Sequence, residues 1–140
     1  MELRSVEELM DLLYAGRYQH ALRTAALLRR SRPADKELQV AGLVQGIGPV
    51  LSPGDEAARA RRAAAAVRPL LGERVFRLVR GDGALADDDV LRLRQAAEEG
   101  RTGGFDAGVL EDWRTVLELV AARNRRLDPV EGPPGAPGAQ

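Results

Sequence analysis

Apolar positions along this chain recur at intervals of three and four, and no segment alternates at two. That is the spacing of a helix face and not of a strand. Leu9, Leu12 and Leu13 mark a first helix ending near Tyr14, and Ser5-Val6-Glu7-Glu8 opens it as a capping box. There the serine side chain serves the Glu8 N–H and the glutamate reaches back. After Gly16 a second helix is predicted over residues 17–30, with His20, Thr24 and Leu27 on one face and Ala21, Ala25 and Leu28 in the next stripe. His20 therefore points inward or along the edge of the core. Pro33 breaks this helix and Asp35 can cap the one that follows. Leu38 to Leu51 is apolar nearly all round and closes on Gly46-Ile47-Gly48-Pro49, so it is expected at the centre of the fold.

Ser52-Pro53-Gly54-Asp55 reads as the next helix start, with proline where a missing N–H costs nothing, and the helix is predicted over residues 53–70. Its alanines from Ala63 to Ala66 allow close packing. Gly72 ends it, and Val75, Leu78 and Val79 make a short helix with Arg74, Arg77 and Arg80 on the outer side. Asp87 can cap a helix through Glu99, and Thr102-Gly103-Gly104 leads to a last one in which Leu110, Trp113, Leu117 and Val120 repeat at three and four. The expected fold is all-α, a compact bundle of about six or seven helices in a single domain over residues 1–127. Residues 128–140, rich in proline and glycine, are expected to be a disordered tail.

The chain has 140 residues, enough for one core. It has no cysteine, which excludes disulfides and thiolate chemistry. No run of apolar residues is long enough to cross a membrane, and the start lacks a signal-peptide layout, so no membrane association and a cytoplasmic location are expected. Formal net charge is zero, which argues against nucleic acid as the partner. All but one of the 21 cationic residues are arginine, a skew that reduces the weight of any arginine cluster at 61, 62, 74, 77 and 80 as functional evidence. The one histidine matters more, because a dinuclear metal site needs several ligands.

Gln19-His20-Ala21-Leu22-Arg23-Thr24-Ala25, Asp35-Lys36-Glu37-Leu38 and Gln45-Gly46-Ile47-Gly48 together resemble a segment of the HD superfamily. The likeness is to its small His-Asp-Ile-Gly type, similar to the mixed-valence diiron oxygenases and phosphohydrolase-like proteins of phosphonate breakdown. Val75 to Val79 and Leu91 to Arg101 look like later helices of that family. The resemblance covers residues 5–120, most strongly 19–51. It implies a helical domain around a two-metal site. Carried over position by position, it implies that only His20 survives of the ligands. The His-Asp pair is Gln45-Gly46, the next histidine falls near Arg59, another at Asp82, and the last aspartate at Ala97 beside Glu98. Substrate-side groups of the family fall at Pro49 and Ala86, and its lid loop is shortened to Ala15-Gly16-Arg17.

The resemblance thus points to a degenerate, metal-free HD protein with no cofactor, a pseudoenzyme binding a small ligand or a protein partner. The residues of the expected cavity are His20, Gln45, Arg59, Asp82 and Glu98. A different reading is a metal-independent enzyme of the isomerase or cyclase kind, with His20 and Asp82 or Glu98 as acid and base. An intact metal-dependent phosphohydrolase or oxygenase is disfavoured by the missing ligands. The plain reading of His20 is a core histidine with hydrogen-bonded nitrogens. Arg59 is either an ordinary solvated arginine or, as the sharper expectation, ion-paired with Asp82 or Glu98 inside the vacated site, and Gln45 is expected to hydrogen-bond across it. Trp113 and its stripe are either core or, if left uncovered, the face of a homodimer.

Overall fold

A computed structural model of the chain describes residues 2–16, 18–81, 88–103 and 105–127. Among these residues there is no strand, and the chain folds as a bundle of seven helices of two turns or more plus one single-turn helix. They are α1 (Val6–Ala15), α2 (Tyr18–Ser31), α3 (Lys36–Val44), the single turn α4 (Gly48–Leu51), α5 (Arg59–Leu71), α6 (Glu73–Arg80), α7 (Asp88–Thr102) and α8 (Arg114–Leu127). Tighter 3₁₀ turns at Gln45–Ile47, Glu56–Ala58 and Leu110–Trp113 join α3 to α4 and lead into α5 and α8.

Two of the expected caps, Ser5 and Asp35, form. Ser5 Oγ accepts from the Glu8 N–H at 3.2 Å, although Glu8 returns to the Arg4 N–H at 2.7 Å, one residue earlier than a strict capping box. Asp35 Oδ1 accepts from the Leu38 N–H at 3.1 Å and starts α3. Every residue from Leu38 to Val44 is buried, and α3 packs against α2, α6, α7 and α8. It is the hub that its all-round hydrophobicity predicted. Gln39, the one long polar side chain in that run, donates to the Arg32 and Pro33 carbonyls at 2.8 and 3.2 Å. Its burial is thereby compensated and α3 is tied to the end of α2.

Leu110, Trp113, Leu117 and Val120 all enter the core, Trp113 with only 1% of its surface exposed. The chain itself covers that stripe, so the homodimer face suggested for it does not exist there. α5 begins later than the proline suggested. Ser52 Oγ donates to the Asp55 carbonyl at 2.9 Å and Asp55 is extended, which holds residues 52–55 as a turn before the helix. α7 runs to Thr102 instead of Glu99, and Gly100 is buried within it. Gly72, with φ +100°, separates α5 from α6. The proposed cap Asp87 and the tail beyond Leu127 lie outside the described residues.

Candidate functional site

His20, Gln45 and Arg59 are far apart in sequence and meet on one open cleft of about 890 Å³. One wall is α2 with α7, bearing His20, Arg23, Ala97 and Arg101. The other is the Gln45 turn with Pro49, Glu56 and the first turns of α5, bearing Arg59, Ala60 and Ala63. Gly16 and Tyr18 also line it.

Two glycines allow the walls to come this close. A Cβ at Gly100 would lie 3.0 Å from Thr24 Oγ1 and 3.3 Å from His20 Cδ2, so glycine lets α7 rest closely on α2 at the histidine. A Cβ at Gly48 would lie 3.1 Å from Arg59 Cβ, so α4 can sit against the start of α5.

The half-buried His20 ring places Nε2 2.8 Å from the Ala97 carbonyl oxygen. A carbonyl only accepts, so Nε2 carries the proton and, in the neutral ring, Nδ1 keeps its lone pair. Among the described residues Arg59 makes no ion pair with Glu98, one of the two partners named for it. Its Nε donates to the Ser52 carbonyl at 3.1 Å and one Nη to Pro53 at 3.2 Å, because the late start of α5 turns those carbonyls toward it. Glu98 is exposed on α7 and does not line the cleft, since the helix turn that brings Ala97 to His20 directs the next residue outward. Asp82 and Ala86 lie outside the described residues. Gln45 lines the cleft, but its side chain makes no hydrogen bond across it among the described residues.

Nothing matches this chain in family models, curated proteins or solved structures. The donor set itself does not fit the two-metal centre that the HD resemblance implies. His20 has one ring nitrogen on a main-chain carbonyl, Gln45 offers a weak amide oxygen and Arg59 a cation. Among the described residues no three His, Cys, Asp or Glu side chains are grouped to hold a metal.

Two features of the charge layout were not foreseen. Arg23 and Arg101 join the cleft, and the skewed arginine content had concealed them. Arg74, expected on the outer face of α6, instead turns inward. Its two Nη groups reach Asp35 at 2.7 Å each, Glu37 at 3.0 Å and Asp89 at 2.9 Å, and Arg32 holds the other oxygen of Asp89 at 2.9 Å. The Arg74 guanidinium holds both Asp35 and Asp89 below the usual carboxylate range, and its own ionisation is pushed up, chiefly by Asp35. The cluster pins the start of α3 to α6 and α7, away from the cleft at the other end of α3.

Proposed function

We propose that this protein is a metal-free, degenerate HD-like protein that binds a small molecule in the cleft and performs no metal chemistry. The observation that carries this reading is the open cleft at the position where the resemblance puts the metal site. His20, Gln45 and Arg59, 14 to 39 positions apart, converge there, and it holds a histidine and a carboxylate, Glu56, with free volume on the scale of ligand sites. A centre filled by side chains would instead have favoured a purely structural role or a protein partner. Acid–base catalysis draws less support, because Glu98 faces solvent and, among the described residues, no carboxylate is bonded to His20.

The test is metal analysis of the purified chain combined with thermal unfolding in the presence of iron(II), manganese(II) or zinc(II). Well under one equivalent of bound metal and no stabilisation by the added ions are expected. Stoichiometric iron or manganese would refute the reading.

A further inference from the structure

The charges around the cleft are unbalanced and divided between its walls. Arg23 and Arg101 stand on the α2–α7 wall, Arg59 on the α5 wall, and Glu56 is the one carboxylate among the described lining residues. Three guanidinium groups against one carboxylate leave the described lining two positive charges in excess.

These arginines keep donors to spare. Arg23 uses Nε on the Gly100 carbonyl at 2.6 Å, which leaves both of its Nη groups. Arg59 retains one Nη after bonding Ser52 and Pro53. Arg101 donates to no acceptor among the described residues. Guanidinium groups take carboxylates through paired N–H donors, and a concave wall of low polarisability strengthens the attraction. Cations on opposite walls suit a ligand with an anionic group at each end better than one with a single compact head. His20 lines the same cleft, and its Nδ1 is an acceptor with no hydrogen-bond partner among the described residues, the ring being held by the bond from Nε2 to Ala97. Ala60, Ala63, Pro49 and Tyr18 supply apolar surface for a short carbon chain.

From this arrangement we infer that the cleft binds a small dicarboxylate carrying a hydroxyl group. One carboxylate lies at Arg23 and Arg101, the other at Arg59, and the hydroxyl donates to His20 Nδ1. The inference rests on the ligand-binding reading above and adds the class of ligand.

Calorimetric titration of the full chain at low salt with malate, succinate, inorganic phosphate and a panel of neutral fragments tests it. Malate is expected to bind one per chain and to weaken about tenfold in R101Q, a variant that breaks no internal hydrogen bond. Succinate, which lacks the hydroxyl, is expected to bind about fivefold more weakly than malate. Malate should also move the His20 Nδ1 nitrogen resonance. A60W, which adds bulk at an exposed position on the cleft rim, should block binding without disturbing the core. Phosphate binding as tightly as malate, or malate unaffected by both R101Q and R23Q, would overturn the dicarboxylate. Equal binding of malate and succinate would overturn the role of His20. Neutral fragments that bind and are blocked by A60W, with no malate binding, would overturn the ligand class and leave the cleft reading standing. If A60W blocks nothing that binds, both fall.

Discussion

Replacing Arg74 by glutamine is expected to lower stability by about 2–3 kcal/mol at neutral pH. Arg74 meets three carboxylates at 2.7–3.0 Å, and both it and its partners are partly shielded, with side-chain exposures of 35% against 22%, 30% and 29%. Fully exposed ion pairs contribute about 0.2–1 kcal/mol each. Paired donors to Asp35 and shared donors in a network justify the upper part of that range for each of the three carboxylates. The variant also leaves Asp35, Glu37 and Asp89 facing one another with no central cation. For a chain of this length the loss corresponds to a melting point lower by about 6–9 °C. Urea is the denaturant to use, because guanidinium chloride would itself screen the pairs.

The pH dependence gives an independent check. Asp35 and Asp89 have folded-state ionisation constants held below their ordinary value of 3.8. Their contribution is therefore fully present above about pH 5 and is lost as pH falls through 3.8 and then through the lower folded values. The wild type should lose stability faster than R74Q over that interval, so the gap between them should close with acid. A gap below about 0.5 kcal/mol at pH 7, or one that stays constant from pH 6 to pH 3, would refute the role assigned to this cluster.

Gly42→Ala should destabilise by about 1–2 kcal/mol. A Cβ there would lie 2.7 Å from Leu28 Cδ1 and 3.0 Å from Thr24 Cγ2, and overpacking of this kind outweighs the roughly 1 kcal/mol gain in helix propensity; urea unfolding decides the sign. Nitrogen-15 spectra of the imidazole should show the His20 proton on Nε2 with slow exchange, and Gly100→Ala should speed that exchange by pushing α7 off the ring; a proton resident on Nδ1 would contradict the geometry. Trp113, the one tryptophan of the chain, should emit at short wavelength and resist acrylamide, and Trp113→Ala should cost about 3–5 kcal/mol by chemical denaturation.

The helical core was readable because periodicity reports which face is buried. Leu9 with Leu13, the run Leu38 to Val44, and Leu110 through Val120 all sit where their spacing places them. The caps Ser5 and Asp35 were readable because their bonds are local. Arg74 was misplaced because its partners lie 39, 37 and 15 residues away, and nothing in the helix pattern of α6 distinguishes an arginine over water from one over three carboxylates. The partner of His20 was invisible for a different reason, since a main-chain carbonyl leaves no mark on residue type. The Ser52 turn was hidden because serine and proline signal a helix start equally well one turn early.

The feature with the widest consequence is α3. Along Leu38 to Val44 it has no side open to water, so it cannot flex toward solvent to absorb a local disturbance. Its nine residues form a rod of about 13 Å. One end is clamped by Asp35 in the arginine cluster, and the other delivers Gln45 to the cleft. The arginine cluster and the cleft thus share one buried helix, and a substitution that shifts α3 along its axis displaces residues at both.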